Sequence, residues 1–202
     1  MRGLLILPFL VGVVFAGDAP EDLPNVSSAM DLAQVCPVGP KEALTAKHVA
    51  ETKLLLWGYP GELEGGTLEW LWIDRRRDVA AVRIVEGPPF RRYYPLSSST
   101  LTVGDRVWVM GYDRDKGFTS RWVRAKVLHI FAGHITLDGT PGRGSSGSCV
   151  LNEALEIVAI NSGGYRRGIG EDPNTGVGVL VIGPWTPPGD ERWIERRQGV
   201  MS

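Results

Sequence analysis

Three residues of the 202-residue chain, in the order His48, Asp78 and Ser146, have the types needed for nucleophilic catalysis. A serine hydroxyl is a poor nucleophile until a neighbouring imidazole removes its proton and a carboxylate holds that imidazole in the right tautomer. His48 lies in LTAKHV, a small-residue segment at the edge of a strand pattern, and Asp78 opens the apolar run DVAAVRI directly after Arg75, Arg76 and Arg77. Ser146 sits in GRGSSGSCVL, between Gly144 and Gly147. Each alone has a plainer reading: a packed or surface histidine, a turn aspartate, a flexible Gly/Ser loop. Together they supply base, orienter and nucleophile. The glycines add a further use, because a tight turn can converge the backbone N–H groups of Gly144 and Ser146 on one point. Such an oxyanion hole contributes roughly a hundredfold or more in rate per donor.

These residues must be positioned by strands. Short runs rich in Val, Ile, Leu, Trp and Tyr alternate with turn residues: LLLWGY from 54, TLEWLWI from 67, VAAVRIV from 79, RVWVMGY from 106, SRWVRAKVLHIF from 120, HITL from 134, SCVL from 148, EIVAI from 156 and VGVLVI from 177. Length and composition make them strands. No long helical pattern separates them, so antiparallel barrels or sandwiches are favoured over a parallel βαβ sheet. The stretch GPPFRRYYPLSSST, residues 87 to 100, has weak strand character and divides the strands into two similar groups, as a linker between two β-barrels would. Asp190 can cap one short C-terminal helix through ERWIERRQ. Trp70 and Trp72 are read as packing residues on one strand face.

Composition agrees. The 26 glycines and 14 prolines are scattered between the apolar runs, which suits a β-rich protein. With 22 Lys+Arg against 23 Asp+Glu the net charge is -1, so no basic field draws in nucleic acid or an anionic membrane. Cys36 and Cys149 are too few for a disulfide scaffold and can form one bridge or none. A zinc site from these cysteines with His129 and His134 has spacings that match no common ligand pattern, so no metal or cofactor is expected.

Arg2 precedes an apolar stretch from Leu4 to Ala16, and acidic residues follow at Asp18, Glu21 and Asp22. This reads as a secretory signal peptide cleaved after Ala16. The stretch falls short of the roughly 18 residues of a membrane span. The alternative is an uncleaved anchor, the only case in which a membrane would be a partner. Secreted or periplasmic localisation is expected.

LTAKHV, DVAAV and GSSGS, in that order, resemble the His, Asp and Ser motifs of the chymotrypsin-fold (trypsin-like) serine endopeptidases, and bacterial and viral members more than digestive ones. PLSSSTLTVGDRVWVMGYDRDKG is similar to the start of the second barrel of the high-temperature-requirement proteases, and ITLDGTPGRGSSGS to their approach to the active serine. EIVAINSGG and GVGVLVI resemble the two strands flanking the substrate pocket. The resemblance spans about residues 32 to 183. It implies an all-β fold of two antiparallel six-stranded barrels with the active site in the cleft between them. The expected division is 1–16 signal peptide, 17–31 extension, 32–95 first barrel, 96–185 second barrel and 186–202 tail with its helix. It also implies a polypeptide substrate and an acyl-enzyme route through His48, Asp78 and Ser146. A catalytically inactive binding protein on the same fold is the alternative.

Departures from the family are informative. Val49 stands where digestive enzymes have a cysteine after the histidine. Ser145 stands where they have an aspartate that pairs with a newly cut N-terminus, so that mode of activation is not expected. Too few residues follow the last strand for an appended peptide-binding domain, so a stand-alone protease domain is expected. By resemblance the pocket is lined by Thr140, Pro141, Gly142 and Arg143 on one side, and Ser162, Gly163 and Gly164 on the other, with Gly178 behind. No carboxylate occupies the position that selects Lys or Arg; the walls fit an apolar side chain, or Arg143 an acidic one. In the family fold the strands carrying Cys36 and Cys149 approach each other, which leaves two outcomes, a disulfide or two buried thiols.

Overall fold

The computed structural model describes residues 25–27, 32–51, 55–59, 65–74, 77–113, 119–139, 144–164 and 176–180. The apolar N-terminal segment, the stretch expected to form a C-terminal helix and the expected pocket residues Thr140 to Arg143 lie outside them. No helix among the described residues is long and apolar enough to cross a membrane.

The first half is an antiparallel sheet of β1 (Asn25–Ser27), β2 (Leu32–Gln34), β3 (Cys36–Pro37), β4 (Glu42–Thr45), β5 (Leu55–Gly58), β6 (Gly65–Ile73) and β7 (Ala80–Glu86), in the order β2-β1-β5-β6-β7-β4-β3. Its two edge strands, β2 and β3, are separated in sequence only by Val35, so one short run closes the sheet on itself. That split gives seven short strands where six were expected. Asn25–Ser27, expected to precede the barrel, pair with both β2 and β5. The second half is a closed barrel of β8 (Arg106–Asp113), β9 (Thr119–Phe131), β10 (His134–Leu137), β11 (Cys149–Leu151), β12 (Ile157–Gly164) and β13 (Gly176–Leu180), ordered β10-β13-β12-β11-β8-β9. The fold is therefore all-β with two antiparallel barrel-like halves, as the alternation of apolar and turn residues implied.

Each half has its own core. Val35, Leu55, Trp57, Leu68, Val82, Ile84 and Phe90 fill the first; Val107, Val109, Val127, Ile135, Leu137 and Val150 fill the second. A third cluster lies between them, with Cys36, Leu44, Val79 and Ala81 from the first half against Met110, Cys149, Leu151, Ile157 and Ile160 from the second. Burial of apolar surface between the halves fixes their relative position, and with it any site built across the cleft. The 87–100 stretch is fastened to both sides. Tyr94 N donates to Pro37 O at 3.0 Å, Ser97 N to Ile157 O at 2.9 Å, and Ile157 N to Pro95 O at 2.7 Å.

The two tryptophans of β6 do not share a face. Trp70 pairs with Val82 and Trp72 with Ala81, a register shift that makes Leu71 an extra residue. An extra residue turns the following side chains to the other face of a strand. Trp72 accordingly packs on the cluster between the halves, and Trp70 is 49% exposed. The expectation that both are packing residues fails for Trp70.

Candidate active site

His48 is carried by a single helical turn, α1 (Lys47–Ala50), and not by a strand edge as expected. Thr45 ends β4, Ala46 stays extended, and the turn closes through Ala50 N to Ala46 O at 3.2 Å and Glu51 N to Lys47 O at 3.0 Å. The first N–H groups of a helix have no partner within it. Asp78 supplies one, its Oδ1 accepting from His48 N at 3.0 Å. Its Oδ2 lies 2.8 Å from His48 Nδ1. A carboxylate only accepts, so Nδ1 carries a proton, and in the neutral ring Nε2 keeps its lone pair. One carboxylate thus fixes the backbone, the ring and the tautomer of His48.

Asp78 is itself set by the turn before β7. Arg77 donates from N to Asp74 Oδ1 at 3.1 Å and from Nε to Asp74 Oδ2 at 2.7 Å, and Asp74 N donates to Val79 O at 2.9 Å. Arg77 therefore anchors the backbone beside Asp78. Ser162, on β12 of the other half, donates its hydroxyl to Asp78 Oδ2. Burial raises the Asp78 pKa, but hydrogen bonds from the His48 ring, the Ser162 hydroxyl and the His48 backbone, with the attraction of His48, outweigh it. The carboxyl is held down to about 2.

Ser146 stands in the turn leading to β11. Gly144 and Gly147 both have φ of 88°, a conformation that strains any residue with a Cβ. At Gly147 space forbids one as well, since a Cβ would lie 2.0 Å from Gln34 O and 2.2 Å from Thr45 Oγ1. That close approach lets the first half grip the turn: Gln34 N donates to Ser146 O at 2.8 Å, while Thr45 Oγ1 donates to Gln34 O at 2.8 Å. From the other side Gly147 N donates to Asn161 O at 2.7 Å. Three residues beyond Ser146, Cys149 is joined to Cys36 by a disulfide, with Cα atoms 4.9 Å apart. The two thiols are thereby unable to ligate a metal, and among the described residues no three metal-ligating side chains converge.

β12 links the two sides of the site through consecutive residues. Ser162 touches Asp78, and a Cβ built on Gly163 would come within 3.5 Å of Ser146 Oγ. Gly178 pairs with Asn161, and Gly176 with Gly164, on the neighbouring β13. Ser162, read from sequence as pocket wall, thus turns its hydroxyl to the aspartate. Asn161 was not singled out in the sequence. Its side chain donates from Nδ2 to Ser145 O at 3.0 Å and to Ser145 Oγ at 2.8 Å; the quoted run EIVAINSGG contained it, but periodicity alone marks it as one more inward strand position.

The chain matches the trypsin-like peptidase domain family over residues 35–160 and belongs to it. Membership makes it a serine endopeptidase, a hydrolase. Its fold is similar to that of a serine protease of human pathogenic astrovirus, at 16% identity and a TM-score of 0.64 over 79% of this chain and 89% of that one. It is also similar to the serine endoprotease from Yersinia pestis, at 17% identity and a TM-score of 0.63 over 79% of this chain and 58% of that one. An inactive-form protease from M. tuberculosis aligns at 16% identity and a TM-score of 0.62, over 90% of this chain and 88% of that one. No curated protein matches the chain.

Proposed function

We propose that this protein hydrolyses peptide bonds through His48, Asp78 and Ser146 by way of an acyl-enzyme. The observation that carries the reading is the pair of hydrogen bonds that His48 donates to Asp78, from Nδ1 at 2.8 Å and from the backbone N at 3.0 Å, on a ring whose Nε2 is left as the base. His48 Nε2 takes the proton of Ser146 Oγ as that oxygen attacks the scissile carbonyl. The negative charge on the tetrahedral oxygen is met by the N–H groups of Gly144 and Ser146; the turn's bonds among the described residues are donated by Gly147 and Ser148 instead. The imidazolium, stabilised by Asp78, passes its proton to the leaving amine. Water then enters, deprotonated by the same nitrogen, and releases the acyl group from Ser146. The polypeptide is bound along β12 and β13, whose glycines leave room for a side chain, and no cofactor takes part.

Secretion belongs to the same proposal. It is supported by the apolar Leu4–Ala16 segment after Arg2 and by the Cys36–Cys149 bond, which an oxidising compartment favours. Two measurements test the proposal: hydrolysis of a denatured protein substrate by the wild type and by Ser146→Ala, and N-terminal sequencing of exported protein. Loss of hydrolysis in a folded variant and a new terminus at Gly17 are expected. Equal activity of the two proteins overturns the nucleophile, and export with Met1 retained overturns the cleavage.

A further inference from the structure

Asn161 is 1% exposed, and so is Ser145. Every polar group of the Asn161 side chain is used. Nδ2 donates to Ser145 O at 3.0 Å and to Ser145 Oγ at 2.8 Å, and Oδ1 accepts from Gly163 N at 3.4 Å. These partners settle which end of the amide faces which way, because a carbonyl oxygen accepts and a backbone N–H donates. The main chain of the same residue accepts from Gly147 N at 2.7 Å and donates to Ser148 O at 2.9 Å. One residue of β12 therefore holds the turn on both sides of Ser146.

The consequence lies in one peptide plane. The carbonyl of Ser145 and the N–H of Ser146 belong to the same planar, trans peptide unit, so they point in opposite directions and cannot turn independently. Asn161 Nδ2 and Ser148 N, the latter at 3.1 Å, both hold that carbonyl. Fixing it aims the Ser146 N–H away from the barrel interior and toward the cleft. We propose that Asn161 is a positioning residue that locks the 145–146 peptide plane and thereby presents the Ser146 N–H to the oxyanion. The inference rests on the proposed role of Ser146. A short polar side chain at 145 suffices here, since the partner that fixes it is an uncharged amide on the neighbouring strand, present from the moment the barrel folds.

Two variants test this, Asn161→Leu, which keeps the volume and removes the amide's donors and its acceptor, and Ser145→Ala, which removes the hydroxyl and leaves the bond from Asn161 Nδ2 to Ser145 O. Amide hydrogen exchange is measured across the chain, together with the rate of fluorophosphonate labelling and the split between kcat and KM. For Asn161→Leu the account predicts faster exchange at residues 144–148 and at Gly163, whose N–H loses its acceptor, labelling slowed about tenfold or more, and a fall in kcat with KM nearly unchanged, as loss of an aimed oxyanion donor requires. Ser145→Ala should show the same pattern at about a third of the size on a logarithmic scale, because the bond to the carbonyl remains. Unchanged exchange at 144–148 in a folded Asn161→Leu overturns the inference whatever the labelling does. Should that variant not fold, unchanged exchange and labelling in Ser145→Ala overturn it. A wild type that does not label contradicts the role of Ser146 instead, and the exchange data still decide whether Asn161 locks the turn.

Discussion

Asp78→Asn separates the electrostatic work of Asp78 from its shape. Asp78 Oδ2 accepts from both His48 Nδ1 and the Ser162 hydroxyl, and Oδ1 accepts from His48 N. An asparagine has one oxygen for these donors. If that oxygen keeps the backbone N–H, its NH2 group faces Nδ1, and the ring must move its proton to Nε2, where it can no longer accept from Ser146. Loss of an orienting carboxylate in this way lowers kcat by about 10^4. The effect on stability follows from the carboxyl's depression from 3.8 to about 2, which at 1.36 kcal/mol per unit corresponds to about 2 kcal/mol. Because the folded pKa is below the unfolded value, that stabilisation is complete above about pH 5 and is lost as pH falls toward 2. Unfolding free energies of wild type and variant from urea titrations should therefore differ by about 2 kcal/mol at pH 7 and by about half of that at pH 3. A difference that stays constant between the two pH values, or a variant with wild-type kcat, would refute the reasoning.

Gly147→Ala should destabilise by more than about 3 kcal/mol, since it adds positive-φ strain to contacts of 2.0 and 2.2 Å with the first half; a normal melting temperature would count against the interlock. Removing the Cys36–Cys149 bond, which closes a loop of 113 residues, should cost about 2–5 kcal/mol in a denaturant titration of the double serine variant. Two free thiols in the non-reduced protein would contradict the bond itself.

The candidate catalytic residues stood out because their types are few and their flanks distinctive. His48 is one of three histidines, and Ser146 sits among glycines that only a strained turn requires. Strands β5 to β13 were legible from short apolar runs between turn residues. The helical turn under His48 was not, because four residues are too short to show a period and Asp78, 30 positions away, supplies its capping acceptor. The placing of Trp70 and Trp72 on different faces depends on a single extra residue in a strand pairing, which an alternation pattern cannot reveal. Ser162 and Asn161 share that limit. Their roles arise from what β12 passes on its way through the cleft, and a strand read alone shows only which side chains alternate.

The central claim is that Ser146 becomes acylated with His48 as its base. The direct measurement is intact-mass and peptide-mapped analysis of the purified protein after a fluorophosphonate, run beside Ser146→Ala and His48→Ala. The account predicts a single adduct on the peptide containing Ser146, none in Ser146→Ala, and labelling slowed by at least about 10^3 in His48→Ala. An adduct on Ser145 or Ser148, or equal labelling of all three proteins, would contradict it.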